Sequence, residues 1–419
     1  MKRIIALLLL VSLALSLVSC YSTYGLKDID TKIPKADVVD IDVEPSDYTA
    51  ESAQYAVADM GAQMMKSLYT GDQNLLVSPV SVALALGLTA GGAKGETLAQ
   101  FEKVLGRGLT LNEMNTFFKA LTQKLEESDK VEINVANSVW LRDNAITVNK
   151  DFLDFAEENF DADVYNEPFN NKTAKKINDW VDDNTDGMIK KIIDEISPDT
   201  VMYLINALAF DAQWQREYTD TSDFFKFINC AGEYETVTGM FSKEARYIED
   251  ENTTGFIKNY KGGEYGFAVF LPNEDVSIND YVADITGEKL MNMLSSAQTV
   301  SVDAKLPKFT FEYSANLNDT LKAMGLTDAF NSSTADLSGL GSSEKGNLYI
   351  GKVLHKTFIE VAEKGTKAAA VTAVQVDAES AYMEPENIKR VTVNRPFVFA
   401  IIDTETNVPL FMGTVLSVK

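Results

Sequence analysis

Residues 363–376 read EKGTKAAAVTAVQV. A charged turn leads into small residues and Val, with no Pro and nothing bulky. A surface loop is ordinarily richer in polar turn formers, and a buried helix ordinarily carries larger apolar residues. Side chains of a strand alternate between two faces. The even positions here are Thr366, Ala368, Ala370, Thr372, Val374 and Val376, all small or apolar. The odd positions include Lys367, Gln375 and Asp377. The stretch therefore has the pattern of a strand with one buried face, and the rest of the chain must supply the sheet that would bury it.

Upstream, helical patterns come first. ESAQYAVADMGAQMMKSLY places Ala, Val and Met at helical spacing. SPVSVALALGLTAGGA puts Ser78 at an N-cap with Pro79 just inside it, and is apolar on nearly every face, the mark of a buried helix. KGETLAQFEKVL, LNEMNTFFKALTQKLEES, DFLDFAEENF and KTAKKINDWVDDNTDGMIKKII continue the helical series, with EINVANSVWL as a strand between them. From TVMYLINALAF onward strands dominate: GFAVFLP, VSVDAKLPKFTFEY, LYIGKVLHKTFIEV, VTVNRPFVFAIID and PLFMGTVLSV. One short helix, SANLNDTLKAMG, interrupts them. Helices early and strands late predict an α+β fold around a large, mainly antiparallel sheet. No internal repeat appears, and no linker divides residues 52–419.

The N-terminus is of another kind. Lys2 and Arg3 precede IIALLLLVSLALSLV, a basic region followed by an apolar core. LVSC, Leu17 to Cys20, follows and resembles the lipobox of bacterial lipoproteins, which implies cleavage before Cys20 and lipidation of its thiol. A plain signal peptide or an uncleaved anchor is the alternative. Residues 1–19 are thus expected to be a lipoprotein signal, and the polar, acidic residues 20–51 a tether. Cys230 is the only other cysteine, which leaves no disulfide framework and no cysteine metal site. The 419 residues are 45% hydrophobic and 24% charged, with a net charge of −24. Such a polyanion is repelled by phosphate backbones, so nucleic acid is not an expected partner.

Catalytic patterns fail one after another. The chain has a single histidine, His355, inside the apolar strand KVLHKTFIEV. Any Ser-His-Asp or Cys-His system would have to use it, and its setting predicts a structural imidazole instead. Zinc is not expected, because there is no His pair or Cys pair at ligand spacing. In GLTAGGAKGET, Gly92 and Lys94 are not adjacent as a phosphate loop requires. Asp182–Asp183 lie on a charge-rich helix and read as solvated.

Several blocks, taken together and in order, resemble the serpins: NLLVSPVSVALALGLTAGGAKGET, INDWVDDNTDGMIKKII, LINALAFDAQW, VLHKTFIEVAEKGTKAAAVTA and the C-terminal NRPFVFAIIDTETNVPLFMGTV. The resemblance covers residues 52–419. It implies a single α+β domain with three β-sheets, a large central sheet among them, about eight or nine helices and an exposed reactive-centre loop near 363–390. It also implies that the chain is not an enzyme but a suicide inhibitor of a serine protease, monomeric and without a cofactor. The loop is cut and then enters the main sheet as a new strand, which is the strand addition that the 366–376 alternation calls for.

By the same resemblance, Ser78, Ser81, Asn206 and His355 match the polar shutter beneath the main sheet. Trp214 and Lys308 match the breach at its top, with Lys308 paired to Glu363. Glu363, Gly365, Thr366, Ala368, Ala369 and Ala370 match the hinge. Lys367 and Val371 depart mildly from the family pattern. The first Pro after Gly365 is Pro385, so nothing in the hinge obstructs a β-ladder. Family spacing puts the scissile bond sixteen residues past Glu363, at Glu379–Ser380. Ala378, Tyr382 and Met383 are alternatives, so the expected protease is Glu-accepting, elastase-like or chymotrypsin-like, or else subtilisin-like. The competing expectation is a non-inhibitory serpin, a surface binding or structural lipoprotein that is cut without trapping. The lipobox places either one on the outside of a bacterial cell.

Overall fold

The computed structural model describes residues 50–128, 130–143, 146–197, 200, 202–344, 346–366 and 387–419. Signal, tether and Cys20 lie outside these residues, as do Ala368, Ala369, Ala370, Ala378, Glu379, Ser380, Tyr382 and Met383.

Nine α-helices and three sheets of nine, six and two strands make up the described residues. The helix Pro79–Ala90 is buried at all twelve positions. Ser78 caps it by accepting the Ser81 N–H, and Pro79 occupies the first turn, where its missing N–H costs nothing. It packs against both Met202–Gln213 and Pro409–Val415, so it lies between the two large sheets. Leu111–Glu126 starts with a capping box, Thr110 with Glu113.

Phe397–Asp403 and Pro409–Val415 are buried at every residue, as is Tyr265–Pro272. They form the centre of the nine-stranded sheet, where continuous apolar runs replace alternation because both faces are covered. The six-stranded sheet runs in the order Phe309–Asn316, Lys352–Val361, Gly365–Thr366, Met202–Gln213, Glu132–Arg142, Asp163–Glu167. Its pairings are antiparallel except at Lys352–Val361 with Met202–Gln213 and at Glu132–Arg142 with Asp163–Glu167.

Several boundaries differ from the sequence expectation. The helix expected to run to Ile193 spans Asn171–Asn184. Thr185 ends it, Asp186 and Gly187 turn left-handed at φ 48 and 73, and Asn178 Oδ1 accepts the N–H groups of Ile192 and Ile193 as the chain folds back. VSVDAKLPKFTFEY is two strands in two sheets, parting at Pro307 and Lys308. LYIGKVLHKTFIEV becomes strand only at Lys352. Two further helices, Ile278–Asp284 and Gly287–Ser295, interrupt the strand-rich half, each started by a hydroxyl cap, Ser277 and Thr286.

Candidate functional site

Lys352–Val361 and Met202–Gln213 are neighbours, yet among the described residues they pair directly only at one end, Lys352 with Tyr203 and Val353 with Leu204. At the other end Gly365 and Thr366 stand between them. Gly365 lies opposite Gln213, and Thr366 lies opposite both Ala212 and Val361. A Cβ on Gly365 would come within 2.0 Å of the Ala212 carbonyl oxygen, so only glycine fits this entry. Thr366 is 2% exposed. The strand pattern read from the even positions thus begins inside the sheet, at its first member.

Trp214, buried, holds the turn that precedes this entry. Its backbone N–H donates to the Lys364 carbonyl and its indole Nε1 to the Ala362 carbonyl, both at 2.8 Å. Tyr218 N–H donates to the Glu363 carbonyl at 2.8 Å. Lys308 Nζ reaches Glu363 Oε2 at 2.8 Å. Desolvation pushes the Glu363 carboxyl up, but the Lys308 hydrogen bond and charge, with a backbone N–H, outweigh it and hold it below its ordinary value.

Three further groups in this cluster have no sequence signature. Tyr260 stacks on Trp214 with ring centroids 4.5 Å apart and an interplanar angle of 12°. Its hydroxyl lies 2.6 Å from Thr366 Oγ1. Lys258, only 2% exposed, pairs with Glu244 at 2.9 Å and sits 4.2 Å from the Tyr218 ring centroid. Burial drags the Lys258 pKa down while the Glu244 carboxylate resists. All three depend on strands that meet far apart in the chain, and only the tertiary fold reveals them.

Near the middle of the same sheet His355 is buried, and its Nε2 accepts the Ser78 N–H at 3.2 Å. Burial lowers its pKa to about 4, so the imidazole is neutral at pH 7. Ser78 Oγ donates to the Leu410 carbonyl at 2.7 Å and accepts the Ser81 N–H at 3.2 Å. Asn206 pairs through its backbone with Asn137, and its side chain lies outside the described atoms. The structure thus brings Ser78, Ser81 and His355 together. Among the described residues, His355 accepts the backbone N–H of Ser78 at a helix N-cap. Among the described residues no cluster of three His, Cys, Asp or Glu is arranged for a metal.

Comparisons with known proteins agree with this geometry. A family described as Serpin (serine protease inhibitor) matches residues 55–418. Human Serpin B3 is 33% identical over 383 residues, covering 85% of this chain and 95% of that protein. A serpin-like protein of Methanosarcina mazei is 29% identical over 99% of this chain and 98% of its own. Among solved structures, the thermophilic serpin tengpin in its native state superposes with a TM-score of 0.84 at 43% identity, covering 92% of this chain and 97% of that one. Tengpin in its latent state gives 0.78. Thyroxine-binding globulin in complex with thyroxine gives 0.76 at 25% identity, covering 87% of this chain and 99% of that one. With the family match spanning nearly the whole described domain, this chain belongs to the serpins.

Proposed function

We propose that this serpin is a suicide-substrate inhibitor of a serine endopeptidase. The supporting observation lies between two neighbouring strands: Gly365 and Thr366 are seated between Lys352–Val361 and Met202–Gln213 at one end, while at the far end Lys352 and Val353 pair directly with Tyr203 and Leu204. The protease serine attacks the carbonyl of Glu379, the peptide bond to Ser380 breaks, and an acyl-enzyme forms. The freed segment then continues the register already set at Thr366. That register carries Thr372 between Asn206 and His355 and keeps the even positions on the Thr366 side. About a dozen new rungs at roughly 1 kcal/mol each supply on the order of 10 kcal/mol before packing is counted. Protease turnover of about 1–10³ s⁻¹ requires insertion within milliseconds to seconds. A hinge of small residues without Pro permits that speed.

The domain acts as a monomer held by a lipid on Cys20 at the surface of a bacterial cell, with residues 20–51 as tether. Glu379 at the cut suits a Glu-accepting protease, and Ala378 an elastase-like one. The deciding experiment mixes the protein with a panel of Glu-specific, elastase-like, chymotrypsin-like and subtilisin-like proteases on a denaturing gel. A covalent band that survives denaturation is expected. Cleavage in the loop by panel members without any such band overturns the inhibitor reading in favour of a non-inhibitory serpin. For location, Cys20→Ser should release the domain from the membrane fraction. A wild-type protein already free of membrane, with its N-terminus cut elsewhere, would refute the anchor.

A further inference from the structure

Thr366 is a buried polar residue seated between Lys352–Val361 and Met202–Gln213, and a buried hydroxyl must find a partner. Its partner is the Tyr260 hydroxyl at 2.6 Å, with one of the two donating to the other. Tyr260 is itself fully buried, and its ring is immobilised. It stacks on Trp214, and Phe210 meets it edge-on at 5.0 Å. Trp214 and Tyr260 also form a backbone bridge. Trp214 in turn holds the carbonyls of Ala362 and Lys364. The aromatic pair therefore grips the hinge at three points, and the one that lies inside the sheet is the hydroxyl of Thr366.

We infer that the Tyr260–Thr366 hydroxyl pair is a latch that seats the first rung of the incoming strand before any protease arrives. This rests on the inhibitor reading above and adds a positioning residue, Tyr260, to it. Strand addition is slow to start, because the first residue must be fixed before any ladder bond rewards it. With Thr366 already opposite Ala212 and Val361, the freed segment extends an existing rung and needs no new nucleus. Thr366 keeps the same neighbours before and after insertion, so the bond is never broken along the way. Without it, two buried hydroxyls lose their partners and the hinge samples positions outside the sheet. Insertion then loses its race with hydrolysis of the acyl-enzyme.

The test uses the full chain with a protease that wild type traps, three single substitutions and one double. Thr366→Val and Tyr260→Phe each delete one hydroxyl. Thr366→Ser keeps it. The number of inhibitor molecules consumed per protease trapped, less one, should rise about five- to tenfold in each deletion variant, as expected for one buried hydrogen bond. Thr366→Ser should restore trapping, and the Tyr260→Phe/Thr366→Val double variant should be no worse than the poorer single. Independently, amide hydrogen exchange in the intact protein should quicken across residues 362–366 by a similar factor in Tyr260→Phe. Trapping as poor in Thr366→Ser as in Thr366→Val, or unchanged exchange in Tyr260→Phe, overturns the latch. A wild type that traps no protease overturns the inhibitor reading instead, and the exchange measurement still decides the latch.

Discussion

At the proximal end of the segment expected to carry the scissile bond, Gly365 and Thr366 lie inside a sheet, between Lys352–Val361 and Met202–Gln213. At its distal end the chain returns as Lys389–Thr392, which among the described residues pairs on one side only, parallel to Gln298–Pro307. Small residues in a tight slot make the proximal anchor: Gly365 against the Ala212 carbonyl, Thr366 on Tyr260. The distal anchor is an amphipathic edge. Val391 is buried and Arg390 exposed, while Lys389 reaches Glu249 at 3.3 Å and lies 4.6 Å from the Tyr247 ring centroid. A charged edge strand of this sort is already satisfied where it lies. The proximal end stands between two strands, with Thr366 opposite Ala212 on one and Val361 on the other, and on the proposed mechanism it advances from there. Cutting between them should therefore move one end and leave the other in place.

The largest expected effect breaks the comparison if it fails. Limited proteolysis near Glu379 should raise the melting temperature well above that of the intact protein, because a full central strand adds on the order of 10 kcal/mol. An ordinary nicked loop lowers stability by enlarging the entropy of the unfolded chain. A thermal melt before and after cleavage, with the cut mapped by mass spectrometry, checks it. A cleaved form that melts at the same temperature or lower would mean that the proximal end does not advance, and trapping would have to be abandoned.

Next in size is a matched pair of substitutions. Thr366→Arg forces a long cation into the slot between Ala212 and Val361, where burying it unpaired costs several kcal/mol. Loop cleavage should persist while trapping is lost, turning inhibitor into substrate. Thr392→Arg, on the half-exposed distal edge, should change trapping little. Equal damage from both, measured as inhibitor consumed per protease trapped, would erase the distinction between the two ends.

His355 sharpens the comparison from the middle of the sheet. Its folded pKa of about 4 lies below its ordinary 6.5. As pH falls below 6.5 the unfolded chain takes up the proton first, and the folded chain follows only near 4. The stabilisation from a neutral His355 is thus present above 6.5 and lost progressively down to about pH 4, by about 3 kcal/mol. His355→Gln should flatten that part of the stability profile. Denaturant unfolding at pH 7 and at pH 4.5 gives the difference, and identical slopes for wild type and variant would exclude His355 as its source.

What could be read from the sequence and what could not divide along physical lines. Of the alternation expected at 366–376, only Thr366 lies among the described residues, and it is buried at the entry to the sheet; a period of two is local and so can be read from sequence. The burial of His355 was legible, because it stands in an apolar strand, KVLHKTFIEV. Tyr260 was not legible, since 106 residues separate it from Thr366 and nothing local marks it. Nor was the division of VSVDAKLPKFTFEY, where one continuous strand pattern crosses between sheets at Pro307 and Lys308. The helices Ile278–Asp284 and Gly287–Ser295, 7 and 9 residues long, were missed; so few turns give a helical period little room to declare itself, although the shorter Asn318–Ala323 was read.

The smallest expected effect concerns Lys308 and Glu363. The pair is short, 2.8 Å, but its side chains are 40% and 35% exposed. Water and salt screen such a pair, so its worth is at most about 1 kcal/mol. Trp214 and Tyr218 already hold the backbone carbonyls on this turn, so Lys308→Met should leave the hinge seated and trapping nearly unchanged. The pH signature is more telling than the size. Glu363 has a folded pKa below its ordinary 4.5, so the contribution is present above 4.5 and fades as pH falls through the lowered value. In Lys308→Met that acid-side loss should shrink, and in wild type it should shrink with added salt. Unfolding followed at pH 7 and pH 3.5, at low and high ionic strength, separates the cases. A loss in Lys308→Met of several kcal/mol at pH 7, insensitive to salt, would mean that the ion pair and not the aromatic grip secures the proximal end.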